Sequence, residues 1–150
     1  MEKTWIVVAN SSRARIFQLD EPHAALREIE DLANPLGRAD NKQLASDGEG
    51  RFGGPAGQSH TAPGQEEPVA HEVRLFARSV GERLELARGA NRYQHLCLIA
   101  APKFLGLLRE NTHASTRKLV QAELARNIAS FSMQDIEECV ATLGLRRALA

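Results

Sequence analysis

Thr4-Trp5-Ile6-Val7-Val8-Ala9-Asn10-Ser11-Ser12-Arg13-Ala14-Arg15-Ile16-Phe17-Gln18-Leu19 is the stretch that decides the fold. Ile6 to Ala9 is apolar without alternation, the pattern of a strand covered on both faces. Arg13 to Leu19 alternates instead, with Ala14 and Ile16 on one face and Arg13, Arg15 and Phe17 on the other. Between them, Asn10-Ser11-Ser12 carries side chains that hydrogen-bond to their own backbone in tight turns. The stretch therefore reads as a buried central strand joined to its neighbour by a polar hairpin.

Working outward, Asp20-Glu21-Pro22 signals a turn, and Ala25 to Leu32 reads as a third strand because a meander is the shortest connection. Residues 34–64 are rich in glycine and proline, with Leu36, Leu44 and Phe52 as the large apolar residues. They read as a long mobile loop, either a tolerated insertion or a lid or binding segment. Pro68 then opens a helix whose apolar face is Val69, Val73, Phe76, Val80, Leu84 and Ala87, with Gly89 as its stop. Its other face, with Glu72, Arg74, Arg78, Glu82, Glu85 and Arg88, reads as solvated surface.

His95 to Ala101 is the second wholly apolar strand. Pro102-Lys103 comes next and starts a short helix with Phe104, Leu107 and Leu108 inward and Gly106 at a close approach. Lys118 to Leu124 is expected to be a fifth strand, although its Leu, Ala, Gln and Glu favour helix. Ser132, with Asp135 three residues on, caps a last helix that buries Ile136, Cys139, Val140 and Leu143 and ends at Gly144.

This order of elements predicts an α/β fold with a mixed five-stranded sheet in the order 3-2-1-4-5, flanked by helices. Strand one is then central, as its apolar run requires. Ligands of such sheets sit outside the carboxyl ends of the parallel strands, where chain direction diverges, here between strands one and four. Asn10, Ser11, Ser12, Arg13, Lys103, Arg126 and Asn127 converge at that end. This basic, amide-rich set suits phosphate or another anion. The plainer account is that these hairpin and cap residues satisfy their own backbone.

Composition narrows the classes. At 150 residues and 43% hydrophobic, residues 1–150 are expected to form one domain around one core. Nineteen basic against nineteen acidic residues leave no global field toward nucleic acid or membrane, so any such contact is a local patch. Cys97 and Cys139 lie in apolar surroundings, which suits a reduced, cytoplasmic protein. No apolar run approaches the roughly 20 residues that span a bilayer. A two-metal nuclease needs clustered carboxylates at the strand ends, where Asn10, Ala101 and Asn127 stand instead. The histidines lack zinc-ligand spacing, so neither a metal nor a cofactor is expected. Ser11 and Ser12 have no base nearby in sequence, and Cys97 within an apolar strand is poorly placed as a nucleophile. Gly53-Gly54-Pro55-Ala56-Gly57-Gln58 lacks the lysine and adjoining helix of a phosphate-cradling loop.

Several of these segments together, Trp5-Ile6-Val7-Val8-Ala9-Asn10, Arg13-Ala14-Arg15-Ile16-Phe17, Asn34-Pro35-Leu36-Gly37-Arg38, the helix around Phe76-Ala77, and Leu98 to Arg109, resemble the bacterial host-attachment protein family. That family is in turn similar to the middle domain of archaeal and eukaryotic peptide-chain release factors, which implies a ribonuclease-H-like sheet. The resemblance implies aspartate at two positions where this chain has Asn10 and Asn127, a departure that weakens metal-dependent catalysis further. It also draws attention to Gly57 and Gln58, which match two residues of the release-factor Gly-Gly-Gln loop.

The resulting expectation is a non-enzymatic cytoplasmic binding or regulatory protein that contacts RNA or the ribosome. Its binding residues are Asn10, Ser12, Arg13, Arg15, Lys103, Arg126 and Asn127, with Arg38, Arg51, Gly57 and Gln58 contributed by the loop. Two other readings stay open: a peptidyl-tRNA or other hydrolase in which Gln58 positions water, and a homo-oligomeric scaffold.

Overall fold

The computed structural model describes residues 2–20, 25–38 and 68–143. The strands are β1 (Thr4–Asn10), β2 (Arg13–Leu19), β3 (Arg27–Ala33), β4 (His95–Ala100) and β5 (Val120–Ala125). They form one sheet in the order β3-β2-β1-β4-β5. β1 pairs antiparallel with β2 and parallel with β4, so the expected order and central strand are both observed. The helices are α1 (Pro68–Gly89), α2 (Pro102–Glu110), the single turn α3 (Ala114–Arg117) and α4 (Met133–Thr142).

β1 has both faces covered because its residues alternate between two cores. Trp5, Val7 and Ala9 join α1 and α2 residues such as Phe76, Val80, Leu84, Phe104 and Leu108. Ile6 and Val8 join Phe17, Leu19, Cys97 and Ile99 under Ile136, Cys139 and Val140 of α4. Every apolar residue from Trp5 to Ala9 has 0% exposure, which is why that run tolerates no polar residue. Trp5 also stacks on Tyr93 at 4.8 Å and donates its indole N–H to Gln18 Oε1 at 2.9 Å.

Four local expectations are corrected. β5 starts at Val120 rather than Lys118, because α3 and the turn after it take up Lys118 and Leu119 through backbone bonds to Ala114 and Thr116. Thr116 in turn donates to Glu85 Oε1 at 2.6 Å, which docks α3 on α1. Hydrogen bonds from Arg88 and Thr116 hold the Glu85 carboxyl down at about 2. The helix α1 ends at Gly89 as expected, but glycine is not what turns the chain. Its end is a Schellman turn in which Asn91 adopts the left-handed conformation (φ 62°) and Arg92 N–H reaches Ala87 O at 2.9 Å.

The expected loop was begun too early, since Asn34 to Arg38 belong to the fold: Pro35–Gly37 form a 3-10 turn packed on α1. The rest of that stretch, with Arg51, Gly57 and Gln58, lies outside the described residues. Finally, the close approach is at Gly81 rather than Gly106. A Cβ on Gly81 would lie 2.1 Å from Asn111 O, whereas one on Gly106 would meet nothing within 4 Å.

This contrast predicts opposite signs for the same substitution in two helices. Gly106→Ala gains helix propensity and stabilises by about 0.5–1 kcal/mol. Gly81→Ala gains the same propensity but forces α1 and α2 apart, for a net loss of about 1–2 kcal/mol. Urea unfolding of the two variants checks both.

Candidate functional site

β1, β3, β4 and β5 run in one direction, so their carboxyl ends, and the amino ends of the helices that come after them, share one end of the sheet. Asn10 sits at its middle and is 7% exposed. Asn10 Oδ1 accepts from Ser12 N–H at 2.9 Å, Ser12 Oγ at 3.2 Å and Arg13 N–H at 3.0 Å. Three donors on one oxygen fix the orientation of the amide, so its Nδ2 points the other way and donates to Asn127 Oδ1 at 2.9 Å. One side chain thus closes the β1–β2 hairpin and reaches across β4 to the segment after β5.

The turn is braced from β3 as well. Asn34 donates its backbone N–H to Ser12 O at 2.8 Å and its side-chain Nδ2 to Ser11 O at 3.0 Å. Gly37 is pressed so tightly onto the turn that a Cβ there would lie 2.0 Å from Ser11 O. Asn34 and Gly37 were absent from the expected site. Their signal was the Asn34-Pro35-Leu36-Gly37 segment, which reads as loop because glycine and proline dominate the residues after it.

The expected cations separate into two kinds. Arg13 forms a bidentate pair with Asp31 at 2.9 and 2.7 Å, at the surface. Those hydrogen bonds hold the Asp31 carboxyl below its ordinary range. The pair's stabilisation is therefore present above the unfolded carboxylate pKa and is lost as pH falls through the lowered one. Arg15 is structural in its placement. Its side chain is 7% exposed, pairs with Glu28 at 3.0 and 2.9 Å, and donates to Ala129 O and Phe131 O at 3.0 and 2.8 Å. It lies over the Phe17 ring at 5.2 Å. The two carbonyl bonds tie the loop between β5 and α4 to the sheet.

Lys103 and Arg126 are exposed. Lys103 is the second residue of α2, a helix with Pro102 first, no acidic residue in its first turn and no side chain bonding its cap. Arg126 directs Nη1 toward Cys139 Sγ at 3.9 Å. Ser12 is half-buried in the hairpin, and Arg38 is exposed at the end of the 3-10 turn. The Cys97 thiol, buried beneath α4, is pushed up to about 12 by desolvation and by Cys139. As a thiol at that value it is inert at neutral pH. Among the described residues no three His, Cys, Asp or Glu side chains group as a metal site. Among them, too, no helix is long and apolar enough to cross a membrane.

The pattern of the family described as proteins required for attachment to host cells matches residues 5–140. The chain belongs to that family. An uncharacterized protein of Rickettsia prowazekii (strain Madrid E) is 35% identical over 71 residues, 46% of this chain and 47% of that one. Among solved structures, the archaeal translation termination factor aRF1 is similar at 13% identity and a TM-score of 0.49, over 97% of this chain and 41% of that one. A second archaeal protein is similar at 13% identity and a TM-score of 0.47, over 97% and 40%. This host-attachment chain thus spans less than half the length of each of these relatives.

The geometry assigns Arg15 a holding role with a measurable cost. Arg15→Met leaves Glu28 and two carbonyls without their donor and lowers unfolding free energy by about 3 kcal/mol. Amide exchange over residues 126–131 speeds up in the same variant. Lys103→Ala, at an exposed site, changes stability by less than about 0.5 kcal/mol.

Proposed function

We propose that this host-attachment family member is a non-enzymatic binding or regulatory protein of the cytoplasm that takes RNA at the strand-end face. The Asn10–Asn127 pair carries this reading. Two carboxamides stand at the convergence of the strand ends, where a metal-dependent enzyme of such a sheet would need carboxylates. An amide is neither an acid nor a base at neutral pH; the Asn10 amide is engaged within the fold, while the exposed Asn127 that it orients can donate its Nδ2 to phosphates or base edges.

The surroundings favour an anion. Lys103, Arg126 and Arg13 border the pair, and the positive end of the α2 dipole faces it with no acidic residue in the first turn. Asp31 offsets Arg13, so the patch is of moderate strength. That suits a chain whose overall charge is zero and whose contacts must be local.

A labelled single-stranded RNA oligonucleotide in anisotropy titrations between 50 and 200 mM salt tests the reading. The Lys103→Glu/Arg126→Glu variant weakens binding by more than about tenfold and flattens the log–log salt slope by about 1.4. Asp31→Asn releases Arg13 and tightens binding a few-fold. An RNA that fails to bind wild type at 50 mM salt, or binds the double variant equally well, rejects the proposal. Sucrose-gradient sedimentation then separates free RNA from the ribosome as the physiological target.

A further inference from the structure

Residues 126–132 leave the carboxyl end of β5 and enter the amino end of α4, so this segment stays at the strand-end face throughout. Three hydrogen bonds pin it as it crosses the sheet. Asn10 Nδ2 holds Asn127 beside β1 at 2.9 Å, and Arg15 Nη1 of β2 holds Ala129 O and Phe131 O at 3.0 and 2.8 Å. Phe131 N–H closes the last turn onto Ile128 O at 3.0 Å, above the buried Ile128 and Ala129.

Phe131 differs from the other aromatic side chains described. Trp5, Phe17, Phe76, Tyr93 and Phe104 are buried, and each has a ring or a guanidinium against it. Phe131 is 37% exposed, and none of the described rings or cations stacks on it. Its main chain is fixed from below, so a flat group that lands on the ring meets a surface already ordered.

The polar groups around it indicate what that flat group carries. Arg13, paired with Asp31 at the surface, lies two residues from Arg15 on the same side of β2, about 7 Å along the strand. Arg126 and Asn127, both exposed, open the segment that Phe131 ends. An unpaired nucleotide joins the two chemistries in one unit, a base with a π-face and a phosphate one sugar away. A duplex keeps its base faces inside the stack and offers mainly its backbone and groove edges.

Resting on the RNA reading above, we infer that Phe131 is the stacking platform for one unpaired base at the strand-end face, which makes single-stranded RNA the ligand class of that site. Stacking on a phenyl ring reads no base edge, so the platform accepts any base. Discrimination lies between stacked and absent, rather than between one base and another.

Anisotropy titrations of the full chain with three labelled RNAs of equal length test this: a single strand, the same strand made abasic, and the duplex. Circular dichroism melts confirm folding of each variant. Wild type binds the intact strand about tenfold or more tighter than the abasic one. Phe131→Ala weakens the intact strand by about 10- to 100-fold. It leaves the abasic strand, the duplex and the log–log salt slope unchanged, because no phosphate contact is lost. Phe131→Leu keeps apolar volume for the fold and shows a comparable loss, whereas Phe131→Tyr keeps the affinity. A wild type that binds intact and abasic strands alike, a leucine variant that binds as wild type does, or a loss equal on all three RNAs overturns the platform and leaves the RNA reading standing. Absence of binding to every RNA at 50 mM salt overturns both.

Discussion

The three hydrogen bonds that Asn10 Oδ1 accepts from Ser12 and Arg13 are the constraint on which the strand-end face depends. They set the hairpin turn and, by fixing which way the amide faces, they leave Nδ2 for Asn127. An aspartate could accept the same three bonds but could not donate the fourth. Asparagine at this position therefore exchanges a charge for a link between the centre of the sheet and its far edge.

The charges follow a consistent division. Near the sheet, arginines are drawn into pairs that hold elements together: Arg15 with Glu28 fastens β2 to β3, and Arg83 with Glu30 fastens α1 to the edge strand. Both join separate elements, and the Arg15 pair is largely sheltered from water, so it acts mainly as a geometric lock. Lys103 and Arg126 lie outside these locks at the exposed strand ends.

Much of the architecture was legible because burial writes itself into period. The unbroken run Ile6–Ala9, the alternation of Arg13–Leu19 and the four-three spacing along α1 gave strand centre, hairpin and crossover helix directly. What the pattern missed was set by partners distant in sequence. Arg15 reads as an available cation until Glu28 and two carbonyls more than a hundred residues away surround it. Gly81 and Gly106 look alike, and only the position of Asn111 tells them apart. Asn91 stops α1 although Gly89 is the better residue for the purpose, since the register of the final turn, rather than propensity, chooses the left-handed position. In the site, the converging amides were visible from topology, while Asp31, Asn34 and Gly37 required the third strand to be in place.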